Sequence, residues 1–234
     1  RLDDTLVLFC SDNGAPFPRG KGTVYDSGVG TPLVVRWPGR VPAGSVHEGL
    51  ASVIDLAPTL LAAADAPVPD SMQGASMLDV FADPSRPGRE YVFSERNWHN
   101  CDEHIRAVRT ADRKLIRNAY LELPYGNPAD VSRSPSWYSL REAKAAGELT
   151  PAQERVFEVP RPALELYDLA ADPDELVNLA DHPAYAGDVS RLTAVLDEWS
   201  ETTGDFPPDR RRRADNTDRV TGEKFTREIA PLTP

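Results

Sequence analysis

The chain is poor in cysteine, with only Cys10 and Cys101 among 234 residues. Two thiols cannot build a disulfide framework or a structural zinc site. Cys10, at the end of an apolar run, reads as a small buried hydrophobe; neither thiol is given a catalytic role. Long hydrophobic runs are missing too. None approaches the ~20 apolar residues that cross a bilayer, so no membrane partner is expected. Positive charge is in deficit: 26 Lys and Arg against 37 Asp and Glu leave a net charge of −11. Phosphate backbones require basic surface, so no nucleic-acid partner is expected either. The exception is the run Arg210 to Arg213, which follows Pro207-Pro208 and reads as a solvated, partly disordered segment. There are no internal repeats and no opening signal peptide. Position 1 is Arg rather than Met, and a strand pattern begins almost at once. The numbering is therefore expected to start inside a longer protein, which leaves the compartment open.

What is present is organised around Thr5 to Gly22, TLVLFCSDNGAPFPRGKG. Leu6-Val7-Leu8-Phe9 is a β-prone apolar run and reads as a buried strand. It stops at Ser11-Asp12-Asn13-Gly14, where a carboxylate and an amide oxygen stand side by side. A loop broken by Pro16 and Pro18 then reaches Gly20-Lys21-Gly22. Ligands of open α/β sheets bind just beyond the carboxyl ends of strands. Asp and Asn oxygens suit Ca²⁺ or Mg²⁺ rather than zinc, and a lysine suits an oxyanion. Asp-Asn-Gly is equally an ordinary turn whose side chains bond their own backbone. The short spacing to Lys21 brings the two readings level.

The length allows one large domain or two small ones with a real core. Gly28 and Gly30 suggest tight backbone packing near the site, or simple turns. Pro32 to Gly39 reads as a second buried strand ended by a Pro-Gly turn, and His47 as exposed. Asp55 is a good N-cap for a helix over 56–64, with Pro58 harmless in its first turn. Residues 65–90 read as a long connection with one short helix near Met77 to Phe81, and as the place for a domain boundary. Glu90 to Ser94, Ile105 to Thr110 and Arg113 to Ala119 read as strands. The last two form a hairpin whose apolar–basic alternation implies one wet face. A short helix is expected over Ser139 to Ala146, and a further strand over Leu164 to Leu169. Tyr185, Val189, Leu192, Leu196 and Trp199 recur at helical spacing up to a C-cap at Gly204. From Phe206 on the chain reads as tail.

Taken together, these residues resemble the sulfatases of the alkaline-phosphatase-like superfamily. TLVLFCSDNG…GKGTVYDSGVGTPLVVRWPG is similar to the second half of that family's active site, and SVIDLAPTLLAAAD to the helix after it. IRAVRTADRKLIRN and ELYDLAADPDELVNLADHP resemble the hairpin and last strand of its small C-terminal domain. Each motif alone is weak; four in the right order over roughly residues 3–203 make a strong signal. SDNGAPFPRGK and DVSRSPSWYSL resemble the heparan N-sulfatase, or sulfamidase, branch.

The resemblance implies an α/β fold. Residues 1–80 would be the C-terminal segment of the alkaline-phosphatase-like α/β/α catalytic domain. Residues 81–204 would be a small α+β domain with a four-stranded antiparallel sheet and a packed C-terminal helix, and 205–234 a tail. It further implies Asp12 and Asn13 as calcium ligands and Lys21 as the cation on the sulfate, where the branch has Arg. His99 falls near a pocket histidine of the family; a core or surface role fits it equally, and Arg96 and His104 are weaker candidates. Family members carry Cys-x-Pro-x-Arg or Ser-x-Pro-x-Arg, whose first residue becomes the formylglycine nucleophile. Cys10 is followed by Ser-Asp and Cys101 by Asp-Glu. The chain is therefore expected to hold half a metal site and no nucleophile, and to be inactive alone. The whole enzyme would hydrolyse a sulfated saccharide. Two alternatives stand beside this: a phosphodiester or phosphonate hydrolase of the same superfamily, which tends to have His where Asn13 stands, and a non-catalytic module that binds sulfated glycans.

Overall fold

A computed structural model of the chain describes residues 2–99, 101–208, 211–213 and 215–225. In order they form β1 (Val7–Cys10), α1 (Asp26–Val29), β2 (Leu33–Arg36), α2 (Leu56–Ala63) and α3 (Leu78–Ala82). Then come β3 (Val92–Trp98), β4 (Asp102–Arg109), β5 (Arg113–Asn118), α4 (Ala129–Ser132), α5 (Pro135–Ala146), α6 (Pro151–Glu154), β6 (Leu164–Asp168) and α7 (Ala186–Thr203). The neighbours β3-β4-β5-β6 make one antiparallel sheet, the expected four-stranded architecture.

The pleat of that sheet builds two cores. On one face Val108, Leu115 and Leu166 meet Leu192 and Leu196 of α7, and Phe93 stacks on Trp199 with ring centroids 5.2 Å apart. The period of α7 matches the expectation, and Gly204 closes it in the left-handed region at φ 68°. On the other face Ile105, Ala107, Ile116 and Tyr167 pack against Val24 and Tyr25. The hairpin β4–β5 therefore has no wet face: Arg106 and Lys114 are each 1% exposed. The alternation of apolar and basic residues is real, but both sides are covered and the basic groups are consumed by carboxylates, of Asp205 for Arg106 and of Asp26 and the buried Glu175 for Lys114.

Several other expectations change. β1 and β2 form, paired antiparallel as Val7↔Arg36 to Cys10↔Leu33, but they are not buried. Phe9 is 63% and Val34 59% exposed, because nothing among the described residues covers this two-stranded ribbon. Cys10 is exposed with it. His47 is half-buried, its Nδ1 3.0 Å from the Pro84 carbonyl. Asp55 sits at the start of α2 without capping it with its side chain. Its carboxylate bonds Ala75 N at 2.8 Å and the guanidinium of Arg89. Burial pushes that carboxyl up, and Arg89 with the backbone donors pulls it below the usual range. The segment after Phe206 is likewise no free tail where described. Arg212 pairs with Asp102 of β4, and Arg219 is buried against Glu103 at 2.7 Å. Arg210 lies outside the described residues, so only Arg211 to Arg213 of that run is seen, lying back on the domain. Finally, α5 starts at Pro135 with Ser134 as N-cap, four residues earlier than its apolar pattern suggests.

Candidate functional site

β1 ends and the chain turns through Asp12-Asn13-Gly14. The turn is fixed by close backbone contact: Gly14 N donates to Gly28 O at 2.8 Å. A Cβ on Gly14 would stand 1.9 Å from Ser27 O, and one on Gly28 2.4 Å from Thr23 Oγ1. Both positions therefore demand glycine for room. Tight packing, one of the two roles considered for Gly28, is the one it performs.

The loop from Ala15 to Thr23 is wound on itself. Lys21 N donates to Ala15 O at 2.9 Å and Gly20 N to Phe17 O at 2.9 Å. Arg19 takes φ 63° and lays its guanidinium over the Tyr25 ring at 3.9 Å. Its two ends donate to the carbonyls of Asp174, at 2.7 Å, and Glu175. The same Glu175 accepts from Asp26 N at 2.6 Å and pairs with Lys114 at 2.8 Å. Lys114 also pairs with Asp26, which Arg109 meets from the side at 3.2 Å. Burial pushes the Asp26 carboxyl up, but Lys114 and Arg109 overcome it and hold it below the usual carboxylate range. The loop is thus clamped onto the four-stranded sheet by a buried charge network rather than by apolar packing alone.

Above this platform lies an open groove of about 890 Å³, lined among others by Asp12, Asn13, Gly22, Asp26, Arg96 and His99. Four of the sequence candidates, Asp12, Asn13, His99 and the weaker Arg96, thus share one space. Asn13 donates its Nδ2 to Gly14 O at 2.6 Å, and the Asp12 side chain is exposed. Among the described residues no hydrogen bond reaches the Asp12 carboxylate or the Asn13 side-chain oxygen. Two hard oxygens so placed fit a Ca²⁺ or Mg²⁺ ion in part. Among the described residues no cluster of three or more His, Cys, Asp or Glu forms, so the remaining ligands would come from elsewhere. His99 stands with its Cδ2 3.9 Å from where a Gly22 Cβ would be.

Lys21 is differently placed. Its Nζ is 2.7 Å from Asp130 Oδ2 of α4. That hydrogen bond raises the Lys21 pKa above its usual value, and Asp12 adds to the effect. Its neighbour Gly22 lines the groove and Lys21 itself does not, one of its donors being engaged by Asp130. His104 is not part of the site: its Nε2 lies 3.5 Å from Asp205, past the end of α7. Sequence reasoning missed Asp26, Arg109 and Lys114. Their signal was the basic alternation of β4 and β5, which reads as a wet face until the loop is seen to cover it.

The segment Ser85-Arg86-Pro87-Gly88-Arg89 matches Ser-x-Pro-x-Arg letter for letter, contrary to the expectation that nothing here does. It forms a turn none of whose residues lines the groove. Ser85 Oγ is held by Asp83 at 2.6 Å, and Arg89 is spent on Asp55. The match is one of spacing, not of site.

Comparison with known proteins bears on all of this. Residues 19–136, half of the chain, match the family described as N-sulphoglucosamine sulphohydrolase, C-terminal. A ulvan-active sulfatase of Formosa agariphila is 35% identical over 206 residues, covering 87% of this chain and 34% of that protein. Human N-sulphoglucosamine sulphohydrolase is 31% identical over 217 residues, covering 87% and 43%. The chain therefore spans between a third and a half of the length of these curated relatives. A solved structure in complex with its substrate, D-glucosamine-2-N,6-O-disulfate, superimposes with a TM-score of 0.65 at 24% identity, over 88% of this chain and 36% of that one. At that identity the likeness shows the fold.

Proposed function

This chain belongs to the sulfatases, in the N-sulphoglucosamine sulphohydrolase C-terminal family, and on that premise we propose that it forms the C-terminal part of an enzyme that releases sulfate from a sulfated sugar. The observation that carries the reading is the groove in which Asp12, Asn13 and His99 meet beside the Lys21 loop. Asp12 and Asn13 hold a divalent cation, Ca²⁺ by resemblance, through their oxygens. When bound, that ion polarises a sulfate oxygen as a Lewis acid. Lys21, paired with Asp130, has further N–H donors for the sulfuryl oxygens as charge builds on them. His99 lines the same groove, and its role would be to hand a proton to the departing oxygen or nitrogen. The formylglycine nucleophile is supplied from outside these residues.

The test uses the full-length protein that carries this chain. It is expected to release sulfate from N-sulfated glucosamine faster than phosphate from matched phosphodiesters and phosphonates. Asp12→Ala is expected to abolish the metal-dependent turnover. A protein that binds sulfated glycan without turnover would be a binding module, and preference for the phosphorus substrates would make it a phosphohydrolase; either ends the proposal.

A further inference from the structure

Glu103, buried in β4, is the centre of an unusual cluster. Arg161 reaches its carboxylate at 3.0 Å and Arg219 at 2.7 Å. Arg96 stands beside them, its guanidinium 4.9 Å from the Tyr125 ring centroid and donating to Gly126 O. A Cβ on Gly126 would lie 3.5 Å from Arg219 Nη2 and 3.6 Å from Arg96 Nη2. The three guanidiniums are therefore gathered round one carboxylate. All three are nine-tenths or more buried, Arg96 being 6% exposed. Among the described residues, Glu103 is the one carboxylate in ion-pair contact with them. Among the described residues, three guanidiniums thus share one ion-paired carboxylate, where burial makes an uncompensated charge expensive.

The donors record the same imbalance. Arg96 Nε and Nη1 and Arg161 Nη1 are buried and find no hydrogen-bond partner among the described residues. Buried arginine donors are normally satisfied. Arg96 is also the member of the cluster that lines the groove shared by Asp12, Asn13 and His99. Two residues on, across a break in the β3–β4 register, Trp98 lines the groove 47% exposed. Bulges of this kind re-aim side chains beside sites. Trp98 offers an apolar face to a sugar ring, and Arg96 a charge next to it.

We propose that Arg96 forms a second anion subsite, which takes a further oxyanion of the sugar, a sulfate or a carboxylate, while the scissile sulfate lies at Asp12, Asn13 and Lys21. This rests on the sulfatase reading. An oxyanion bound in the groove beside Arg96 offsets the charge that this cluster gathers there. The enzyme then prefers substrates with two negative groups over those with one.

The experiment compares three substrates with the full-length protein: glucosamine-2-N-sulfate, glucosamine-2-N,6-O-disulfate, and a disaccharide joining N-sulfoglucosamine to a uronic acid. The wild type is expected to favour at least one dianionic substrate in kcat/KM by about tenfold, as for a hydrogen bond to a charged group. In Arg96→Gln that preference falls about tenfold, with the change in KM. Arg96→Lys restores part of it, since the charge stays and the fork is lost. Whichever dianion responds identifies the second group as sulfate or carboxylate. No dianion preference in the wild type overturns the proposal whether or not the variants fold. So does an equal loss on all three substrates in Arg96→Gln, which marks a structural role. A full-length protein that turns over none of the three defeats the sulfatase reading instead. Calorimetric titration with the disulfate and monosulfate, in wild type and Arg96→Gln, then still decides the subsite.

Discussion

At the scale of single residues, the site depends on who holds whom. Lys21 is useful only as a cation at a fixed place, and Asp130 is the residue that fixes it. Lys21→Ala in the full-length protein is expected to lower kcat by about 10²-fold or more, as for loss of one oxyanion donor. Asp130→Ala is expected to cost less, since it removes the tether and leaves the charge; steady-state kinetics on an N-sulfated sugar rank the two. Lys114 is the deeper case. It is 1% exposed and holds both Asp26 and Glu175. Lys114→Met leaves two carboxylates at least half-shielded from water with one guanidinium between them. Urea unfolding is expected to show a loss of about 3–5 kcal/mol, the range for breaking a buried ion pair from one side.

At the scale of elements, α7 and the sheet answer to each other. Leu192 is fully buried between α7 and the strands. Leu192→Ala is expected to cost about 2–5 kcal/mol in the same measurement, depending on how far the site collapses. Past the end of α7, Asp205 is strapped to Arg106 of β4. The hydrogen bond from Arg106 holds the Asp205 carboxyl below the usual aspartate range. A folded value below the unfolded one means that the folded state binds fewer protons near that pH. The stability from this strap is complete above the ordinary aspartate value of about 4, and is lost as pH falls through the lowered folded value. Denaturant melts from pH 7 to 3 are expected to show a shallower acid loss for Asp205→Asn than for wild type. Equal slopes would show that the strap is idle.

At the scale of the whole molecule, the exposed ribbon β1–β2 stands out. Phe9 and Val34 present apolar surface without a cover among the described residues. Such surface drives association, so this chain by itself is expected to self-associate in sedimentation runs. Phe9→Lys with Val34→Lys should reduce that while leaving the urea midpoint nearly unchanged. Much of the architecture was legible without coordinates. The β pattern of residues 105–119 and 164–168, the helical period from Tyr185 to Trp199 and the Gly204 stop follow from local chemistry, because turns, caps and periodicity act between near neighbours. So did the adjacency of Asp12 and Asn13 at a strand end. What local pattern could not show was coverage. Arg106, Lys114 and Arg109 alternate like a wet face, yet a loop from some 90 residues earlier in the chain takes Lys114 and Arg109, and Asp205, some 100 residues later, takes Arg106. Leu6 to Phe9 reads as core, yet Val7 and Phe9 stand exposed and Leu6 and Leu8 are only half-buried. Sequence by itself settled the strands and the longest helix, though not the short helices α1, α4 and α6, and which oxygens and cations come at short spacing. Only the tertiary structure decided which face each strand hides and which charges face one another, because burial and pairing depend on what arrives from far along the chain.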